Sequence, residues 1–77
     1  MQEVFLMVLH NLKAIREDTD TKQKTIAAYL GVSQNTYSQY ENGIIAMSPE
    51  MLVKAADYFN VSTDYLLGRT QNKKLYK

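Results

Sequence analysis

Four short punctuation marks constrain this chain more than its composition does: "YLGVS", "ENG", "MSPE" and "FNVS". Each holds a residue suited to end a helix, a residue suited to start one, or both. Between them apolar residues recur at the helical period, and no stretch alternates with period two for long enough to make a strand. Phe5, Val8, Leu9, Leu12 and Ile15 predict a first helix from about Glu3 to Glu17. After the polar "EDTDT", Thr21 is the expected cap of a second helix that buries Ile26, Ala27 and Leu30, and Gly31 supplies its left-handed stop. Ser33 caps a third helix, with Val32 and Tyr37 spaced as a hydrophobic staple, and Asn42-Gly43 ends it. Ser48 and Pro49 open a fourth helix with Leu52, Ala55, Ala56 and Phe59 inward. Asn60 stops it, and Ser62 caps a short fifth helix to Leu67. The fold class is therefore all-α, with five helices.

Length then limits what such a bundle can hold. The 77 residues make one small domain. With no cysteine, disulfides and thiolate metal sites are excluded, so compact helix packing must carry the stability. The longest apolar run, Val4 to Leu9, is far shorter than the roughly 20 residues that span a bilayer, and it has no basic region before it. The expectation is a soluble, cytoplasmic domain without membrane contact. The net charge of +1 does not itself point to nucleic acid. Its distribution is uneven: Glu17, Asp18 and Asp20 are acidic, while Arg69, Lys73, Lys74 and Lys77 give the C-terminal segment 69–77 only cations. That tail is either a basic arm that touches phosphate or a frayed, solvated end.

The third helix, "QNTYSQYE", is the most informative element. At about 100° per residue, Gln34, Ser38, Asn35 and Gln39 share an arc of roughly 140°, with Tyr37, Tyr40, Glu41 and Thr36 on the other side. Four neutral polar side chains thus face out together. An amide donates and accepts at once, so Gln and Asn suit the edge of adenine. A capped, solvated helix shows the same face, and the pattern alone fits either reading. The short connection from Leu30 to Ser33 holds the second and third helices at a steep angle, as in a helix-turn-helix unit.

The stretch "QKTIAAYLGVSQNTYSQYENG" resembles the helix-turn-helix of the phage-repressor and Cro-like (XRE) family. Gln23, Ala27, "LGVS" and "YENG" carry the likeness, and "LVKAADYFNVSTDYLLG" is similar to that family's last two helices. The resemblance covers roughly Leu12 to Gly68 and implies a compact five-helix lambda-repressor-like DNA-binding domain over residues 1–68, with its helix-turn-helix at about 22–43. It implies double-stranded DNA as the partner, with Gln34, Asn35, Ser38 and Gln39 as base readers. Gln23, Thr36 and Asn42 match phosphate-contacting positions, Gln23 is also placed to orient Gln34, and Lys22 and Lys24 flank the start of the second helix. Arg16 and Glu41 match a structural ion pair that orients more than it stabilises.

Two departures from the family open further expectations. Relatives often carry Lys or Arg just after "ENG"; here "IIAM" has no charge. One or two of these four side chains are expected to tuck into the core. The surplus apolar residues Leu6 and Met7, or Ile44, Ile45 and Met47, or Tyr65 and Leu66, are candidate homodimer contacts. The uncharged loop also supports a rival reading, a protein-interaction module of antitoxin-like or regulator-binding kind. His10 has no companion ligand, Asp18 and Asp20 sit in a turn, and no Ser or Thr has a base beside it. No metal, cofactor, small-molecule ligand or enzyme activity is therefore expected. Tyr29, Tyr37, Tyr40 and Tyr58 are expected at the core or its edge, with hydroxyls at the surface.

Overall fold

Among the described residues, five helices follow from that punctuation: α1 (His10–Asp18), α2 (Gln23–Leu30), α3 (Gln34–Glu41), α4 (Pro49–Phe59) and α5 (Thr63–Leu66). The structure, a computed structural model, describes residues 9–73, and among these there is no strand. No helix among them is long and apolar enough to cross a membrane. The all-α expectation is met. Ser33, Ser48 and Ser62 each accept a hydrogen bond from the backbone N–H three residues on, and Pro49 takes the first helical position.

All five helices end in one way. The residue past each end is left-handed: Asp20 (φ 55°), Gly31 (78°), Gly43 (73°), Asn60 (59°) and Gly68 (78°). The next N–H then reaches back five residues, Thr21 to Arg16 at 2.9 Å, Val32 to Ala27 at 3.0 Å and Ile44 to Gln39 at 2.9 Å. Val61 does the same to Ala56 at 3.0 Å, and Arg69 to Asp64 at 2.9 Å. This is the Schellman motif, which satisfies carbonyls that a helix end otherwise leaves bare. Asp20 is the stop that the sequence reading missed, because aspartate is less common there than glycine or asparagine.

The core lies where the helices meet. Leu9, Leu12 and Ile15 come from the N-terminal side, Ile26, Ala27 and Leu30 from α2, and Tyr37 from α3. Ala55, Ala56 and Phe59 of α4, Val61, and Tyr65 and Leu66 of α5 complete it. Val32, Tyr40, Met47, Met51 and Leu67 pack partly buried against this cluster. Leu52 is half-buried, less than its spacing implies.

Several expectations are corrected here. A helix from Glu3 does not run through to Glu17, because Leu9 is non-helical and its N–H goes to the Glu41 carbonyl at 3.0 Å. Phe5, Leu6, Met7 and Val8 lie outside the described residues. Thr21 is not the cap of α2: that position is Lys22, and no side chain caps it. The Thr21 hydroxyl pairs with Thr19 at 2.8 Å, and its carbonyl accepts from Arg16 Nη1 at 3.1 Å. Tyr65 and Leu66 are 4% and 0% exposed, so as core residues they offer no surface to a second chain. The chain beyond Gly68 is not loose as far as Lys73. The Ser62 N–H donates to the Lys73 carbonyl at 3.2 Å, and the Lys73 ammonium sits 5.7 Å from the Tyr65 ring centroid. Lys74 and Lys77 lie outside the described residues.

One polar cluster ties α1, α2 and α3 together inside this apolar frame. The Glu41 side chain is 2% exposed. Its Oε2 accepts from Arg16 Nε and from the Tyr37 hydroxyl, both at 2.6 Å. Its Oε1 accepts from Arg16 Nη2 at 3.3 Å and Gln23 Nε2 at 3.4 Å. Four donors on one buried carboxylate answer the cost of removing it from water. The Tyr37 hydroxyl is therefore buried, contrary to the surface position expected for it, whereas Tyr29 and Tyr58 do stand half-exposed and in ring contact at 4.8 Å.

Burial, and then the bond to Glu41, raise the Tyr37 phenol well above the ordinary tyrosine range. Below pH ~10 both the folded and unfolded chains keep this proton, and it adds no pH dependence. Above that, the unfolded chain releases a proton the folded chain holds, so stability falls by up to about 1.4 kcal/mol per pH unit from this group. Urea unfolding measured on either side of pH ~10 should show this alkaline loss, and Tyr37→Phe should flatten it. A Cβ added at Gly31 would meet nothing within 4 Å, so the cost of Gly31→Ala is one of backbone conformation. We expect a loss of about 1–2 kcal/mol in thermal or urea unfolding, with helix content retained.

Candidate nucleic-acid interface

Two helices and the three residues between them make the unit. Gly31 turns the chain, Val32 anchors it on the core, and Ser33 starts α3 by accepting from the Thr36 N–H at 3.1 Å. α3 rests chiefly on α2. Its inner side is fixed by the buried Tyr37 ring and by Glu41, while Gln34 and Asn35 are exposed and Ser38 and Gln39 half-buried. The side chains of Gln34, Asn35 and Gln39 make no hydrogen bond among the described residues, so their amides are open to an incoming partner. The Ser38 hydroxyl is approached by Asn42 Nδ2 at 3.4 Å. The four candidate base readers are thus brought together on one outward side.

The flanking positions divide into free and engaged groups. Lys22 and Lys24 are exposed at the start of α2, where no side chain caps the first N–H groups of the helix. Gln23, the first residue of α2, is half-buried, and its amide donates to Glu41 rather than to Gln34, which corrects the expectation that it orients Gln34. Glu41 is the stronger acceptor because it is a charged carboxylate. The Thr36 hydroxyl accepts from Ser33 Oγ at 3.0 Å, and its own proton remains available to a phosphate oxygen. Asn42 turns its amide back onto the Ser38 carbonyl at 2.9 Å.

Arg16 is the second strut of the unit. Its Nε and Nη2 both face Glu41, and its Nη1 holds the Thr21 carbonyl just before α2. The hydrogen bond to Glu41 raises its pKa, against a smaller lowering from burial, so the guanidinium stays charged. The ion pair expected from the sequence is present, and it has a partner that the sequence reading placed elsewhere: the Tyr37 hydroxyl. The signal for it was local, since Tyr37 and Glu41 are four apart on one helix and therefore adjacent.

The loop after α3 contributes apolar surface and no charge. Ile44 is 60% exposed and Ile45 36%, while Met47 packs against the core, so one of the four "IIAM" side chains tucks in. The Ile44 N–H is held by the Gln39 carbonyl, which fixes where this loop leaves α3.

Comparison with known proteins agrees with this geometry. The helix-turn-helix family matches residues 12–66. The antitoxin PezA of Streptococcus pneumoniae serotype 4 is 36% identical over 62 residues, covering 80% of this chain and 39% of PezA. The HTH-type transcriptional regulator ImmR of Bacillus subtilis is 36% identical over 63 residues, 82% of this chain and 50% of ImmR. The HTH-type transcriptional regulator AnsR of the same organism is 35% identical over 68 residues, 88% of this chain and 59% of AnsR. The chain therefore spans between two-fifths and three-fifths of the length of these relatives. No solved structure matches it. With the fold, the turn and the matched residues in agreement, the chain belongs to the helix-turn-helix family of the XRE type.

Proposed function

We propose that this chain is a cytoplasmic, sequence-specific transcriptional regulator that binds double-stranded DNA as a homodimer. The observation that carries the reading is the division of α3: its inner side is locked by Tyr37 and Glu41, and Gln34, Asn35, Ser38 and Gln39 face out together. A helix of this kind lies in the major groove with its N-terminal residues on base edges. Lys22 and Lys24, the start of α2 and the Thr36 hydroxyl meet the phosphates, joined by Gln23 and Asn42 when the duplex draws their amides outward. The relatives named as transcriptional regulators support the regulatory role.

The reading face is neutral and the loop uncharged, so selectivity here rests on hydrogen bonding more than on charge. In vitro selection from random duplex DNA at moderate salt is the direct test, and it should return a near-palindromic sequence. Gln34→Ala or Gln39→Ala should then cost about 1–3 kcal/mol on the selected site and relax preference at one base step. If no sequence is enriched, the DNA reading fails.

A dimer sets two reading helices roughly 34 Å apart, one turn of DNA. Of the candidate contacts, Ile44 and Ile45 are the exposed ones, Met47 is partly engaged by the core, and Leu6 and Met7 lie outside the described residues. Sedimentation should find a dimer on the selected DNA; monomer alone at high micromolar concentration, with and without DNA, would sink this part. The second reading is a protein-interaction module that uses Ile44 and Ile45 as its contact. Their exposure and the similarity to an antitoxin favour it, and it becomes the better account if selection returns nothing.

A further inference from the structure

We infer that the Tyr37 hydroxyl is a positioning group for the reading face: by holding the Glu41 carboxylate from within α3, it fixes how far that helix is rotated about its own axis. The inference rests on the DNA-reading proposal above and names a further residue that determines its specificity.

The geometry of Glu41 carries it. Arg16 belongs to α1 and Gln23 to α2, so their bonds to Glu41 tie α3 to its neighbours. Tyr37 belongs to α3 itself, one turn before Glu41, and its bond to Oε2 at 2.6 Å is as short as that of Arg16 Nε. A glutamate side chain is long and has several rotatable bonds, so an interhelical bond to its tip leaves the parent helix room to turn. The Tyr37 hydroxyl removes that room. The phenol ring is 0% exposed and packed among core side chains, and its oxygen pins the carboxylate to the same rigid body. The bond from Arg16 then reports the position of α3, not merely that of a flexible side chain.

The consequence appears at the other end of the helix. Gln34 lies seven residues before Glu41, about 10 Å along the axis. A rotation of about 10° moves groups at the helix surface, about 5–6 Å from the axis, by about 1 Å. Bidentate hydrogen bonds to a base edge do not survive such a shift unweakened, because their distances and angles are narrow. Contacts from Lys22 and Lys24 to phosphates do survive it, because they depend on charge and come from the cap and first turn of α2, not from α3. The hydroxyl therefore governs selectivity with little influence on nonspecific attraction.

Tyr37→Phe keeps the ring and deletes only the hydroxyl. The full chain and this variant are compared on the selected DNA and on a scrambled duplex, across a salt series, at a temperature where circular dichroism shows both folded. The expected result is a roughly tenfold loss of affinity for the selected site, with affinity for the scrambled duplex and its salt slope unchanged. Repeating the selection with Tyr37→Phe should broaden preference at the positions sensed by Gln34 and Gln39. Equal losses on both duplexes, or a lower melting temperature with selectivity intact, would overturn the assignment and leave the hydroxyl a matter of stability only. A variant that does not fold even with trimethylamine oxide present would make the hydroxyl a requirement of the fold and overturn it as well. Wild-type protein that enriches no sequence overturns the DNA reading and this inference together, an outcome distinct from the others because it is seen before any substitution.

Discussion

The Glu41 carboxylate is the point on which the arrangement of the first three helices depends. A lone carboxylate in so small a core is expensive, and the chain meets the cost by surrounding it with donors. Those donors come from three different elements, so the electrostatic need of one side chain becomes a geometric restraint on all of them. Arg16 extends the restraint to the Thr21 carbonyl, and the Leu9 N–H extends it through the Glu41 backbone. The side of the molecule that carries α3 is thus braced by polar contacts of short range and defined direction. The apolar core alone would tolerate more sliding, since dispersion contacts are many but undirected.

The rest of the molecule is built economically around that point. Helices of four to eleven residues are short for independent stability, and each therefore depends on its ends and its packing. The repeated left-handed stop lets the chain reverse within very few residues, which keeps the helices close and the core continuous. All three glycines of the sequence serve this purpose. Asp20 and Asn60 serve it where a carboxylate or amide can also face solvent.

What the sequence made legible was mostly local. The caps at Ser33, Ser48 and Ser62 and the stops at Gly31, Gly43 and Asn60 depend on neighbours within five positions, and the structure has them all. The outward face of α3 and the Arg16–Glu41 pair were legible too, the first from helical geometry and the second from family likeness. Some failures are local, at the Asp20 stop, the Thr21 cap and the Tyr37 hydroxyl, and the others turn on a partner distant in sequence. Leu9 is pulled from a helix by a carbonyl of Glu41, Gln23 is claimed by the Glu41 carboxylate, and residues as far as Lys73 are drawn back onto α5. Tyr65 and Leu66 fall in the core for a different reason: a four-residue helix has no periodic face long enough to reveal which side is inward.

The two sides of α3 also differ in what they owe to the fold. Among the described residues, the side-chain hydrogen bonds that join α3 to its neighbouring helices all end on Glu41, which Tyr37 holds from within α3, and the exposed amides of Gln34 and Asn35 take no part in them. Replacing the outward residues therefore costs the fold little, whereas replacing Tyr37 or Glu41 removes the polar bracing of α3. The surface chemistry of α3 can thus vary one side chain at a time on a constant scaffold.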